Sequence, residues 1–362
     1  MRKNKSRLLR FHQQHKISHN LIIIVLCTLL AACSANSAIN GNGSGGGSMQ
    51  CQSNCTIGPG VQGVKVFVEP DTGDQFIASA ITQAQTSVWV EMYLLTDRAI
   101  INALEAAAQR SIDVRVMLEA HPYGASGAMQ TLDRLRAAGV KAQTASPDFA
   151  LTHEKGMILD GTTVYIMTAN FTRSALGGTS SVTNREYGII DTNQPDVQAV
   201  QNIFTADWNR TNAQFDDPNL VVSPVNSRNS FTTLINNAHN MLLIEAEEMQ
   251  DSGIEQALMN AVQRGVKVQV ILPTPGNASS DSNSAGITSI QQGGVLVKED
   301  AHLYMHAKII VADGRTAFVG SENISAASLE HNRELGIIVL DPSVLNTLQQ
   351  TFQQDWSDSQ NV

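Results

Sequence analysis

Residues 151–160, LTHEKGMILD, open a strand-like apolar run with a histidine and a lysine two positions apart. Alternate side chains of an extended strand share a face, so this histidine and lysine point the same way. The chain repeats the pattern at residues 303–313, LYMHAKIIVAD, and in both copies an aspartate lies five positions after the lysine. The two sets are His153, Lys155 and Asp160, and His306, Lys308 and Asp313. The repetition indicates that two parts of the chain have the same fold.

The repeat extends on both sides of these motifs. Residues 83–118 resemble residues 236–272, and each segment has the pattern of a strand, an amphipathic helix and a second strand. Downstream, NREYGII at 184–190 matches NRELGII at 332–338. The turns after the two motifs match as well, because MTAN contains Thr168 and Asn170 while GSEN contains Ser321 and Asn323.

Strands that alternate with helices predict an α/β sandwich, a mixed sheet with helices on both faces. Since the pattern occurs twice, we expect two similar α/β halves packed about a pseudo-twofold axis. The first half spans residues 61–213 and the second residues 214–362. The turn-forming segment DDPNL at 216–220 marks the boundary between them.

The N-terminus has the pattern of an export signal. A basic stretch up to Lys16 precedes an apolar run at 21–32 that is too short to span a bilayer. The run ends in LAAC, which resembles the lipobox of bacterial lipoproteins, so residues 1–32 are predicted to be removed and Cys33 to be lipid-modified. An ordinary signal peptide cut elsewhere is the alternative. The lipoprotein interpretation predicts an exported, lipid-anchored protein of the cell envelope. Ser34, with no aspartate after the cysteine, favours the outer membrane by resemblance to other lipoproteins.

Residues 33–60 are rich in glycine and serine and are predicted to be a flexible tether between membrane and folded domain. Cys51 and Cys55 in this segment form a small disulfide in an exported compartment, or remain two free thiols. Without residues 1–32 the chain has 18 basic and 33 acidic residues, a formal charge of −15. Such a chain is repelled by a polyphosphate backbone, so the charge disfavours nucleic acid as a partner.

The two HxKxxxxD motifs, each followed by a GSxN-like turn, resemble the phospholipase D superfamily of phosphodiesterases and phosphatidyltransferases. The resemblance covers essentially the whole folded part and implies two phospholipase D-like halves that face each other. With both motifs in one chain, we expect the protein to be active as a monomer. One departure is Met167, which replaces a glycine of the family pattern and is expected to crowd the phosphate pocket.

The residue types fit phosphodiester chemistry without a metal or another cofactor. An anionic phosphate needs positive charge and donors, which two lysines and two asparagines supply: Lys155, Lys308, Asn170 and Asn323. One histidine attacks phosphorus and forms a phosphohistidine, and the other protonates the leaving oxygen. The family pattern implies that His153 is the nucleophile and His306 the general acid and base.

Three further pairs of positions are assigned supporting roles. Each histidine needs an acceptor at its second ring nitrogen, and the resemblance implies that Glu186 and Glu334 serve this purpose. Thr168 and Ser321 are supporting hydroxyl groups of the turns. Asp160 and Asp313 have the opposite strand parity from the histidines, so they are expected to point away from the phosphate and hold loops or backbone.

Three functions remain. The first is hydrolysis of phospholipids, or transfer of their phosphatidyl group, by an enzyme anchored through Cys33 beside its substrate. The alternatives are a metal-independent endonuclease and a phosphatidyltransferase like cardiolipin synthase. A non-catalytic binding protein is disfavoured because neither motif has lost its histidine or lysine. The negative charge and the lack of interleaved basic and aromatic stretches favour a lipid substrate.

Overall fold

The computed structural model describes residues 58–123, 125–178, 182–276 and 281–362. The predicted signal peptide, the predicted lipidation site Cys33, both cysteines at 51 and 55 and most of the predicted tether lie outside the described residues. The last tether residues, 58–60, are described, and they contact the second half instead of standing free. Gly58 N donates a hydrogen bond to Pro218 O (2.6 Å), and Gly60 N donates to Asn219 Oδ1 (3.1 Å).

The first half is built on a mixed sheet with the strand order β1-β7-β6-β5-β2-β3-β4. Its strands are β1 (Lys65–Glu69), β2 (Ser87–Met92), β3 (Asp113–Leu118), β4 (Lys141–Thr144), β5 (Lys155–Leu159), β6 (Thr163–Met167) and β7 (Asn184–Asp191). Its helices are α1 (Asp74–Gln83), α2 (Arg98–Gln109), α3 (Ala128–Ala137) and α4 (Gln194–Asn209). Strands β2, β3 and β4 run parallel, and the remaining neighbours are antiparallel.

The second half has the same topology in a sheet ordered β18-β12-β11-β9-β14-β15-β17-β8. The main strands are β8 (Leu220–Ser223), β9 (Met241–Ala246), β11 (Lys267–Pro273), β12 (Leu296–Asp300), β14 (Lys308–Ala312), β15 (Thr316–Gly320) and β17 (Glu334–Val339). Short strands are β10 (Met249–Gln250), β13 (Tyr304–Met305), β16 (Ile324–Ser325) and β18 (Gln360–Asn361). The helices are α5 (Ser227–Asn236), α6 (Ser252–Gln263), α7 (Ser284–Gln292), α8 (Ala326–Glu330) and α9 (Pro342–Asp358). The predicted pair of similar α/β halves is therefore confirmed.

The repeated helices begin at repeated capping residues. The Asp97 carboxylate accepts from Ala99 N (2.9 Å) at the start of α2. Asp251 accepts from Ile254 N (3.0 Å) at the start of α6. An aspartate at this position satisfies backbone N–H groups that the helix itself leaves unbonded.

Three buried layers hold the molecule together. Helices α1, α2 and α3 pack on the outer face of the first sheet, and α5, α6 and α7 pack on the outer face of the second. The central layer joins the two sheets, for example Ile158 of β5 and Ile309 of β14, with apolar residues of α4 and α9. Because the two inner faces bury each other's apolar side chains, the halves form one continuous core.

Polar contacts across the centre fix how the halves meet. Strand β13 of the second half pairs with β7 of the first, and Thr152 pairs with Arg333 in the related position. The Arg333 guanidinium, fully buried, donates two hydrogen bonds to Asp207 (2.7 and 2.9 Å). Arg185 donates likewise to Asp355 (2.6 and 2.7 Å). Each arginine of the NRE repeat thus pairs with an aspartate of the opposite half.

Asp160 and Asp313 form hairpin turns. Both have a positive φ of 54°, followed by Gly161 and Gly314 at 64°, which is the backbone of a two-residue turn between antiparallel strands. The Asp160 carboxylate accepts from Ser87 N (3.0 Å) and two neighbouring N–H groups. Asp313 accepts from Met241 N (2.9 Å) in the same way. These aspartates tie each hairpin to the strand beside it.

Within the residues that the structure describes, no helix combines the length and the apolar character needed to cross a membrane.

Candidate active site

The two motif histidines meet at one cavity between the halves. His153 lies just before β5 and His306 just before β14, and the side chains are mostly buried. Both line a cavity of about 410 Å³, together with Asn170 and Asn323. The cross-half backbone bond from His153 N to Arg333 O (2.9 Å) holds the first histidine in place. Tertiary packing therefore brings together residues that are about 150 positions apart in the chain.

Each histidine contacts a glutamate of the other half. His153 Nδ1 lies 3.0 Å from Glu334 Oε2, and His306 Nδ1 lies 2.7 Å from Glu186 Oε1. Both glutamate side chains are fully buried. A neutral imidazole that donates Nδ1–H to such an acceptor leaves Nε2 as the nitrogen that faces the cavity. Each half thus supplies the glutamate that contacts the histidine of the other half, a pairing that the sequence repeat did not specify.

The glutamates are held by further donors of their own half. Thr168 Oγ1 donates to Glu186 (2.6 Å), and Ser321 Oγ donates to Glu334 (2.7 Å). Asn184, Asn332 and Ser328 add donors at 2.9, 3.2 and 2.7 Å. The two hydroxyl groups of the turns therefore position carboxylates. The asparagines of the NRE repeat, which were visible in the sequence, were not predicted to have this role.

Burial shifts the pKa values of the first motif. Burial lowers the pKa of His153 below its ordinary value, although the charge of Glu334 opposes this effect. Burial also lowers the pKa of Lys155 to about 7. For Glu334, burial would raise the pKa, but His153 and Lys155 lower it overall. His153 is thus a neutral base at neutral pH, hydrogen-bonded to an ionised carboxylate.

The lysines are buried beside the histidines of their own motifs. Lys155 Nζ donates to the carbonyl oxygen of His153, and Lys308 Nζ donates to that of His306 (2.6 Å). They are 1% and 3% exposed. An anion bound between the two histidines would be attracted by both amino groups, and their low exposure strengthens this attraction.

The amide oxygens of Asn170 and Asn323 are buried, and neither has a hydrogen-bond partner among the described residues.

The expectation that Met167 crowds the phosphate pocket is wrong. That side chain is fully buried in the core under α1 and α2, and it is not among the residues that line the cavity. The side chains of a strand alternate, so Met167 faces the core while Thr168 faces the glutamate.

Glu247 is a site residue that the sequence reasoning missed. Its Oε2 lies 2.7 Å from Lys308 Nζ and 3.4 Å from His306 Nε2. The corresponding position of the first half is Tyr93, whose ring lies edge-on to His153 with 4.6 Å between centroids. The signal was present, since Glu91 and Glu245 align in the repeat and these residues come two positions later. The two halves of the site are thus unequal.

A second buried cluster lies beside the first motif. Carboxylate oxygens of Glu91, Glu154 and Asp207 lie within 4.8 Å of one another, a spacing that could hold a metal ion. Asp207, however, is bonded to Arg333. Burial raises the pKa of Glu154 to about 8 and that of Glu91 well above its usual range. At neutral pH, therefore, protons and a guanidinium neutralise these carboxyl groups.

Comparisons with known proteins match both halves. A family model described as "Cardiolipin synthase, PLD-like domain" matches residues 77–208 and 231–356. The cardiolipin synthase of Oceanobacillus iheyensis is 25% identical over 342 residues, which covers 82% of this chain and 69% of that protein. The major cardiolipin synthase ClsA of Bacillus subtilis is 25% identical over 344 residues, with 80% and 68% covered.

Among solved structures, the phosphatidylserine synthase of Haemophilus influenzae superposes with a TM-score of 0.65 at 14% identity. The match covers 84% of this chain and 88% of that one, and it shows a common fold. Since the two segments of the family model span most of the chain and fall one in each half, the chain belongs to the family of the cardiolipin synthase, PLD-like domain, within the phospholipase D superfamily.

Proposed function

We propose that the protein is a phosphatidyltransferase that acts on phospholipids through a covalent phosphohistidine. The observation that carries the proposal is the pair of histidines at one cavity, each bonded to a buried glutamate of the opposite half. An in-line displacement at phosphorus needs a nucleophile on one side and a proton donor on the other. Two facing copies of one motif meet that need, whereas one histidine cannot.

The reaction has two steps. In the first, the lone pair of His153 Nε2 attacks phosphorus, the bond from phosphorus to the head-group oxygen breaks, and His306 gives a proton to that oxygen. In the second, the oxygen of an acceptor alcohol attacks phosphorus and the bond to His153 breaks. The proton of the alcohol passes to His306. The lowered pKa of His153 supports the nucleophile assignment, because a neutral ring has a lone pair to donate.

Positive charge for the phosphate comes from Lys155 and Lys308, with Asn170 and Asn323 as further polar contacts. The pKa of Lys155 is about 7 in the unliganded site. An arriving phosphodiester anion favours the charged amine, so substrate binding and protonation of Lys155 support each other. Binding is therefore expected to weaken as the pH rises above 7.

Transfer is favoured over hydrolysis, which the sequence placed first, by the relatives named cardiolipin synthase. Nuclease activity is disfavoured by the surface of the cavity. Among the described residues that line it there is no lysine or arginine, and the ionised Glu247 adds negative charge. A groove that tracks a polyphosphate chain needs a continuous row of cations.

The same proposal includes anchoring of the enzyme to a membrane. A lipid on Cys33 and a tether up to residue 57 would keep the enzyme beside its substrate at the outer membrane. Both motifs lie in one chain, so the proposed active form is a monomer without a metal or another cofactor.

The test is an assay of purified protein with phosphatidylglycerol and phosphatidylethanolamine in detergent micelles, with a short alcohol as acceptor and plasmid DNA as a separate substrate. We expect a phosphatidyl-alcohol product, and no cleavage of DNA. His153→Ala and His306→Ala are each expected to lose about 10³-fold or more in activity. His239→Ala, a loop histidine outside the cavity, is the control.

Rapid cleavage of plasmid DNA, with both lipids untouched, would replace the lipid proposal by a nuclease. Phosphatidic acid as the sole product at high alcohol concentration would mean hydrolysis. Full activity in either motif variant would contradict the two-histidine mechanism.

A further inference from the structure

The cavity that should receive an anionic phosphodiester has an acidic lining. Glu247 and Glu248 line it, while Lys155 and Lys308 are buried and are not among the lining residues. In the part of the chain that the structure describes, no lysine or arginine side chain lines this cavity. The groups attached to the phosphate therefore meet carboxylates and tyrosine rings in the lining of the cavity.

Glu247 marks one side of the cavity. Its Oε2 is engaged with Lys308 Nζ (2.7 Å) and lies 3.4 Å from His306 Nε2. Its Oε1 has a weaker contact, the Tyr304 hydroxyl at 3.4 Å. Burial by itself would raise the pKa of Glu247, but the charges of His306 and Lys308 lower it far below its ordinary value. The carboxylate is ionised, and one of its oxygens is available to a further donor.

The acidic side is the side of the leaving group. In the proposed reaction His306 protonates the head-group oxygen, so the head group lies next to Glu247. The incoming alcohol takes the same place in the second step. On the His153 side the repeat has Tyr93 instead, and its ring covers that histidine. Glu247 therefore places a carboxylate at the position where head groups leave and acceptors enter.

We propose that the head group or acceptor on the His306 side is a cationic amino alcohol, whose ammonium group binds Glu247. This inference rests on the proposed phosphatidyl transfer. A carboxylate beside tyrosine rings suits an ammonium ion, which gains a charge-assisted hydrogen bond and a contact with an aromatic face. Tyr304 lies beside Glu247, and the exposed Tyr123 lines the same cavity. A head group with a second negative charge is repelled.

The test compares dihexanoyl phosphatidylethanolamine with dihexanoyl phosphatidylglycerol, both below their critical micelle concentrations, so that membrane binding plays no part. We expect the full-length protein to favour the ethanolamine lipid by roughly tenfold in kcat/KM, the scale of one hydrogen bond to a charged group. Glu247→Gln should reduce this ratio to about twofold or less. Glu105→Gln, the same charge change on α2 at an ion pair with Arg134, should leave the ratio unchanged.

Binding gives a readout without turnover. Phosphorylethanolamine and glycerol 1-phosphate carry the same phosphate and differ in the ammonium group, and calorimetry on the wild type and Glu247→Gln compares them. If Glu247→Gln is unstable in thermal melts, Glu247→Asp keeps the charge with a shorter reach and should give an intermediate ratio.

Equal or faster turnover of the glycerol lipid by the wild type would overturn the inference, as would an unchanged ratio in a folded Glu247→Gln variant. No turnover of either lipid, together with no binding of either phosphate ester, would instead overturn the proposed function.

Discussion

Replacing Glu334 by glutamine tests the contact between the halves on which the proposed mechanism depends. The carboxylate is fully buried and accepts from His153 Nδ1 (3.0 Å), Ser321 Oγ (2.7 Å), Ser328 Oγ (2.7 Å) and Asn332 Nδ2 (3.2 Å). Glutamine keeps the shape, but its NH₂ group is a donor that faces other donors. The free energy of unfolding should fall by about 1–3 kcal/mol, the penalty of an unsatisfied buried group.

The effect on activity should be larger than the effect on stability. A neutral partner no longer fixes the tautomer of His153 or stabilises the positive charge that its ring gains during attack. Comparable losses of a carboxylate behind a catalytic histidine cost up to ~10⁴ in rate, so we expect a decrease of roughly 10²–10⁴. Glu186→Gln should have a similar effect on natural lipids, because it supports His306.

A nitrophenyl phosphodiester separates the two roles. Nitrophenolate leaves without protonation, so Glu186→Gln should release the first nitrophenol at nearly the wild-type rate. Glu334→Gln should remain slow with this substrate as well, because attack by His153 is still required. Rapid-quench measurement of the first turnover, with Glu105→Gln as the matched control, distinguishes the variants. More than a tenth of wild-type activity in Glu334→Gln would refute the reasoning. So would an equal gain in rate for both variants when the nitrophenyl substrate replaces the natural lipid.

Four further predictions concern stability, metal and location. The folded state keeps the proton of Glu154 up to about pH 8 while the unfolded chain loses it near 4.5, so stability should fall as the pH rises between these values. Glu154→Gln should remove up to roughly 5 kcal/mol of this fall in denaturant titrations, and an unchanged pH profile would argue against a buried proton. Arg333→Met leaves the buried Asp207 carboxylate without its ion-pair partner, so the free energy of unfolding should fall by about 3–5 kcal/mol. Chemical unfolding measures this change, and Arg134→Met, at an exposed ion pair, is the control. Activity should survive EDTA, and a loss that Zn²⁺ or Mg²⁺ restores would contradict the metal-free site. Cys33→Ser should move the protein from the membrane fraction to the soluble fraction of a bacterial host, and sedimentation that survives alkaline washing would mean another anchor.

Most of the fold could be predicted from the repeated sequence, because the patterns that indicate its strands, helices and turns are local. Periodic apolar residues, capping aspartates and the Asp-Gly turns act within about a dozen positions, so one strand-helix-strand pattern found twice predicts two similar sheets. The strand parity that placed His153 and Lys155 on one face, and Asp160 on the other, is likewise a property of neighbouring residues.

Long-range geometry decided what the repeat left open. Which glutamate serves which histidine depends on how the two sheets pack, and Glu334 reaches His153 from 181 positions away. The role of Glu247 also depends on a strand next to the motif strand in space but distant in sequence. The sequence by itself determined the duplicated fold and the residue types of the site. The tertiary structure decided which residues meet and where the charge lies. These contacts join segments that are far apart in the chain, and local sequence patterns do not predict which distant segments pack together.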